Sequence, residues 1–122
     1  MRVTVTFDTW AWLEYFAASK RSERVKQVVE ASDEICTSAI SLLEIKAKFA
    51  REKQPYDEFL AFVCRRSRIV DVDKGIALDA AGHCERGLHT VDAVIYATAQ
   101  SVRSTLLTGD VHFKGLPGVE ML

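Results

Sequence analysis

Four acids fall where the chain could bring them into one site: Asp8, Glu44, Asp92 and Asp110. Asp8 directly follows Val3-Thr4-Val5-Thr6-Phe7, a β-branched and aromatic run that reads as a strand. Asp110 stands two residues beyond the strand-like Leu106-Leu107-Thr108. Ligands of parallel α/β sheets gather at the carboxyl ends of the strands, so both acids should project into one crevice. Asp92 interrupts an apolar run (Ala93, Val94, Ile95, Ala97), and Glu44 interrupts Ile40-Ser41-Leu42-Leu43-Glu44-Ile45. Helices leading from that edge would aim them at the same place. Crowded carboxylates repel one another at neutral pH. A divalent cation resolves the conflict, and hard oxygen ligands select Mg²⁺ or Mn²⁺. Such an ion binds phosphate oxygens and turns water into a nucleophile, so the natural reaction is phosphodiester hydrolysis.

Each acid also has a purely structural explanation. Asp8 is a good N-cap for the helix after it, and Gly109-Asp110 suits a turn. Asp92, shortly after Thr90, is stabilised by the helix dipole. Ser41-x-x-Glu44 matches a capping box, although Ser38 is the more natural cap, one turn earlier.

The elements that must position these residues follow from periodicity. Beyond the strand at 3–7, a helix is expected after Asp8, a second over 22–31, and a short strand over 34–38. Helices follow at about 40–53 and from Pro55 to Ser67, then a strand at 69–72. Helices at about 74–86 and 90–103, a strand at 105–108 and a last strand at 119–122 complete the chain. Strands separated by helices cannot pair as hairpins. The expectation is a three-layer α/β/α sandwich around a mainly parallel sheet of four to five strands.

The chain has 122 residues without repeats or Pro/Gly-rich linkers, and 48 % are hydrophobic, so a single domain over 1–122 is expected. Cys36, Cys64 and Cys84 form an odd, widely spaced set among apolar neighbours, read as small buried hydrophobes in a reducing cytosol. Met1 and Arg2 lead straight into a strand with no secretory pattern, and no apolar run could span a bilayer. The expected location is therefore the cytoplasm, with no membrane contact.

Four segments together resemble a known family. Phe7-Asp8-Thr9-Trp10-Ala11-Trp12-Leu13-Glu14-Tyr15-Phe16 is similar to the opening of PIN-domain proteins of the VapC toxin type. Ser38-Ala39-Ile40-Ser41-Leu42-Leu43-Glu44-Ile45 resembles their second motif and Thr90-Val91-Asp92-Ala93-Val94-Ile95-Tyr96-Ala97-Thr98-Ala99 the third. Leu107-Thr108-Gly109-Asp110-Val111-His112-Phe113 resembles the fourth, and Phe113 to Val119 the family's ending. The resemblance covers essentially the whole chain in the right order. It implies a Mg²⁺- or Mn²⁺-dependent endoribonuclease, the toxin of a toxin–antitoxin pair, with Asp8, Glu44, Asp92 and Asp110 as metal-site acids. It also implies that Thr108 orients the site and that the products carry a 5′-phosphate and a 3′-hydroxyl. One departure stands out. Many relatives carry a further acid where this chain has His112, which leaves the metal count open between one and two and His112 open between phosphate contact, water tuning and no role.

An RNA substrate needs positive charge near the acids although the net charge is only −1. Lys46, Lys48, Arg51, Lys53, Arg65, Arg66 and Arg68 form one basic group, and Lys20, Arg21, Arg24 and Lys26 a second. Trp10, Trp12, Leu13, Tyr15 and Phe16 surround the first helix, more than one buried stripe requires. In VapC-like proteins that region receives a cognate antitoxin peptide, and the domains commonly form homodimers. Other readings are a zinc site at His83, Cys84 and His89, which matches no common spacing, and a receiver-like signalling domain using acids near Asp71 and Asp73. A PIN fold that only binds RNA or protein, without catalysis, is the remaining alternative.

Overall fold

The computed structural model describes residues 3–122; Met1 and Arg2, and the expectation placed on them, lie outside the described residues. The chain runs β1 (Thr4–Phe7), α1 (Thr9–Ala17), α2 (Glu23–Glu30), β2 (Glu34–Ser38), α3 (Ala39–Arg51), α4 (Asp57–Arg66), β3 (Arg68–Val70), α5 (Lys74–Glu85), α6 (Thr90–Ser101), β4 (Thr105–Thr108) and β5 (Val119–Met121). Single 3-10 turns cover Lys20–Ser22 and Val111–Phe113. All expected elements are present, with ends displaced by a residue or two. Lys53 (φ 55°) and Arg103 (φ 53°) adopt left-handed backbone just past α3 and α6, so neither helix reaches the end periodicity suggested.

The sheet order is β3-β2-β1-β4-β5, and every pairing is parallel. The chain winds outward from β1 to β2 and β3, then crosses back to β4 and β5. The winding therefore reverses between β1 and β4, whose carboxyl ends flank the position where such sheets hold ligands.

Alternating side chains supply the two faces. Val5, Phe7, Ile35 and Leu107 join Ala11, Trp12, Val25, Val28, Ile45 and Val63, so α1 to α4 cover one face. Leu106 points the other way, to Ile95, Tyr96, Ala99 and Phe113, while Ile76 and Ala80 of α5 pack on Ala93 and Ala97 of α6. This is the expected three-layer sandwich. Trp12 anchors the first face: it is fully buried, its ring lies 4.7 Å from Phe7, and its Nε1–H donates to Thr37 Oγ1 at 3.0 Å. The small residues of α6 let α5 approach closely across the second.

Two readings need correction. Cys36 is buried, but Cys64 is exposed on α4, because the apolar stripe of that helix runs through Val63. In α1 only Ala11 and Trp12 are buried, which leaves the second apolar face of that helix open. The strand preceding Asp71 is an edge strand, and Asp73 caps α5 by accepting from the Ile76 amide at 2.9 Å. The acids there do not occupy the central-strand position a receiver domain needs. No helix of the described residues is long and apolar enough to cross a membrane.

Candidate metal centre

The site grows from the ends of β1 and β4. Phe7 pairs with Leu107 in register, so Asp8 and Thr108 emerge side by side. Asp8 is 3 % exposed and serves two partners: Oδ1 accepts from the Ala11 amide at 2.7 Å, capping α1, and Oδ2 accepts from Thr108 Oγ1 at 2.5 Å. Thr108 Oγ1 in turn accepts from the Asp110 amide at 2.9 Å. One hydroxyl therefore fixes both acids relative to the sheet. Asp110 Oδ1 accepts from the His112 amide at 2.9 Å and from His112 Nδ1 at 2.8 Å, so the turn after β4 folds His112 back over the acid.

Asp92 occupies the first turn of α6, and Asp92, Asp110 and His112 each offer a ligand atom within 4.8 Å of the others. Glu44 stands further out: it raises the Asp92 pKa through its charge, and its Oε1 accepts from Thr9 Oγ1 at 2.5 Å. The site thus has an inner group of Asp92, Asp110 and His112, with Asp8 beneath it and Glu44 at the rim.

Electrostatics mark the crevice as short of positive charge. Burial pushes the Asp8 carboxyl up to about 7 against the lowering effect of its Thr108 and Ala11 hydrogen bonds, and the charges of Asp110 and Asp92 raise it further. Burial likewise raises Asp92, with Asp110 and Glu44 adding to it and His112 and His89 opposing. Among the described residues no lysine or arginine is ion-paired to any of these acids. Two close carboxylates, an imidazole and a buried third acid fit a divalent cation.

Sequence reasoning brought Asp8, Asp92, Asp110 and Thr108 to one crevice and left the role of His112 open. It missed Thr9, which holds Glu44, and Trp10, whose ring lies over Gly109 so closely that a Cβ there would meet it at 2.4–2.6 Å. The adjacency of Thr9 and Trp10 to Asp8 was the only signal. The zinc reading fails because His83 is engaged elsewhere, by Gln100 Oε1 at 2.7 Å and Arg86 Nη2 at 3.0 Å. The basic group at Arg65, Arg66 and Arg68 lies at the amino edge, lining a cleft with residues 31–35 at the start of β2, away from the acids.

The acids stand at the switch point of a parallel sheet, the edge at which open α/β folds hold their ligands. The chain belongs to the PIN-domain family, whose model matches residues 5–119. Its fold is shared with a toxin–antitoxin complex from Klebsiella pneumoniae, 24 % identical over 96 % of this chain and 96 % of that one, with a TM-score of 0.80. It is shared also with VapBC2 from Rickettsia felis, 16 % identical, covering 98 % of this chain and 99 % of that one, TM-score 0.78. Mycobacterium tuberculosis VapC20, a sarcin–ricin-loop-cleaving toxin, is 20 % identical, with 96 % of this chain and 98 % of that one covered and a TM-score of 0.76. No curated protein sequence is significantly similar to the chain.

Proposed function

We infer that the protein is a divalent-metal-dependent endoribonuclease acting as the toxin of a toxin–antitoxin pair. The observation that carries this reading is the convergence of Asp92, Asp110 and His112 above a buried acid, Asp8, whose proton affinity is raised and which, among the described residues, is ion-paired to no lysine or arginine. Asp92, Asp110 and His112 would hold Mn²⁺ or Mg²⁺ with Asp8 and Glu44 around it, and the bound ion supplies an acidified water and neutralises phosphate charge. The chain's own groups do the positioning. Thr108 sets the spacing of Asp8 and Asp110, and Thr9 holds Glu44 toward the crevice, where its carboxylate can take a proton from an attacking water. In the hydrolysis the water oxygen bonds to phosphorus as the P–O3′ bond breaks, and the departing 3′ oxygen takes up a proton. The products are a 5′-phosphate and a 3′-hydroxyl.

The antitoxin part of the reading rests on a groove of about 480 Å³ lined by Trp10, Leu13, Phe16, Lys48, Phe49 and Phe59. This is the second apolar face of α1, left open between α3 and α4, and it suits the apolar side of a peptide helix. Relatives with this fold were solved as toxin–antitoxin complexes, which supports that occupant. Exposed Leu43 and Leu78 support pairing into a homodimer, checked by sedimentation of the protein alone.

The test is cleavage of a mixed structured RNA pool by purified protein with Mg²⁺, with Mn²⁺ and with EDTA, beside an Asp92→Asn variant. Cutting that requires both the metal and Asp92 is expected. No cutting, with no metal binding by calorimetry, would replace the enzyme reading with a binding module.

A further inference from the structure

The acidic crevice has a cationic neighbour. On the far side of His112 a cleft of about 410 Å³ opens between α5, α6 and the segment after β4, lined by His83, Arg86, Leu88, Tyr96, His112 and Leu116 among others. That volume falls within the roughly 300–1,000 Å³ typical of small-molecule sites. Its walls are apolar, and its polar groups are fixed. Tyr96 is nearly buried and donates its hydroxyl hydrogen to Pro117 O at 2.6 Å. The His83 ring meets the Tyr96 ring edge-on at 4.7 Å.

Arg86 is the feature that gives the cleft a purpose. Its Nη2 lies 3.0 Å from His83 Nδ1, and the other ring nitrogen, Nε2, is 2.7 Å from Gln100 Oε1. A guanidinium can only donate, so His83 Nδ1 accepts and Nε2–H donates to the amide oxygen. The imidazole therefore steers Arg86 without neutralising it, and among the described residues Arg86 has no carboxylate partner. Two other arginines are engaged. Arg24 is paired with Glu120 at 2.8 Å, and Arg66 is tied to backbone carbonyls at the opposite edge of the sheet. His89, whose ring lies 5.7 Å from that of His112, extends the same imidazole-rich rim.

We propose that this cleft is a nucleotide subsite: it holds the ribonucleotide next to the scissile phosphate, with the base between Leu88 and Leu116 and Arg86 on its phosphate or base edge. The proposal rests on the ribonuclease reading and adds to it where the strand runs. An unpaired guanidinium matches a phosphate or a base edge bidentately, and small-ligand sites pair apolar walls with a few fixed polar groups. His112 is shared by crevice and cleft, so one strand can engage both at once. Arg86 is thus a positioning and specificity residue and not a catalytic one.

Arg86 is exposed, so its substitution leaves the fold intact. Binding is read by fluorescence anisotropy of short single-stranded RNAs in the presence of Mn²⁺, on the Asp92→Asn background, so that no turnover is needed. Adding Arg86→Ala is expected to weaken binding about tenfold and to lower the slope of log affinity against log salt by about one. In the active protein Arg86→Ala should raise KM more than it lowers kcat and should redistribute the cut sites. Arg86→Lys should keep the salt slope and still shift the cut sites, because it retains the charge but not the planar fork. Equal affinity and an unchanged cleavage pattern for Arg86→Ala would overturn the subsite even if the RNA is cut. Binding that depends on Arg86 without any cutting by wild-type protein would sustain the subsite and fail the nuclease reading alone. No RNA binding by the parent would overturn both.

Discussion

Replacing Asp8 with asparagine should make the metal-free protein more stable at neutral pH, although the residue caps a helix. The folded-state carboxyl is raised from 3.8 to about 7, chiefly by burial. The unfolded chain therefore gives up this proton at a lower pH than the folded one. The associated stability is complete below about pH 4, is lost as the pH climbs toward 7, and stays lost above it. About three decades of proton affinity at about 1.4 kcal/mol each give about 4 kcal/mol. Water entering the crevice on ionisation reduces this, so a loss on the order of 2–4 kcal/mol is expected. For a chain of this size that is a fall in melting temperature of about 8–16 °C. The assay is thermal unfolding in EDTA from pH 4 to 8 for wild type and Asp8→Asn, read as the difference between the two curves, which removes the histidines and surface acids from the comparison. Asparagine keeps an oxygen for the Ala11 amide, so the cap survives, and the variant's curve should be flatter. Adding Mn²⁺ should restore the wild type most strongly at pH 8 and less at lower pH, where protons compete for the ligands, and should help the variant little. Parallel curves in EDTA would refute the reasoning, because they would mean Asp8 titrates alike folded and unfolded.

Three further substitutions probe the supporting structure. Thr108→Val removes the donor to Asp8 and the acceptor for the Asp110 amide; a loss of about 2–4 kcal/mol in urea unfolding and about 10–100-fold slower RNA cleavage are expected. Gly109→Ala would place a Cβ 2.4–2.6 Å from three Trp10 ring carbons, so the ring must swing out, destabilising by about 1–3 kcal/mol with a red shift in tryptophan emission. Arg66 donates to Val28 O, Val29 O, Ala31 O and Asp33 O at 2.8–3.1 Å; Arg66→Lys loses the fork that reaches them and should cost about 2–3 kcal/mol without changing the kinetics of cleavage, since it lies at the other edge of the sheet.

Much of this architecture was legible because strand ends are legible. Once β1 and β4 are recognised, parallel pairing fixes Asp8 and Asp110 at one edge, and the apolar surroundings of Asp92 mark it as an acid with a reason to be there. Residues whose role depends on the path of an irregular turn were not legible. His112 is carried back over Asp110 only because Val111–Phe113 forms a 3-10 turn capped by that acid, which periodicity does not encode. Charge counting met a related limit. It grouped Arg65, Arg66 and Arg68 by sequence proximity to α3, whereas the strand β3 begins among them and its amino end faces away from the acids. Arg86, outside both basic groups, lines a cleft together with His112.

The structural and chemical explanations of these acids are complementary. Asp8 is a helix cap and a member of the acidic cluster at once, because a carboxylate has two oxygens and the fold engages one with Ala11 and the other with Thr108. Those bonds hold the acid in a fixed orientation, yet they do not offset its burial, since the proton affinity stays high despite them. Hydrogen bonds from an amide and a hydroxyl bring partial charge, whereas the combined field of Asp8, Asp92 and Asp110 calls for a full positive one. A fold selected for stability alone would have placed asparagine or serine at position 8 and kept the cap. An aspartate there, beneath two further acids and ion-paired to no lysine or arginine among the described residues, makes sense if the missing charge arrives from solution as a cation.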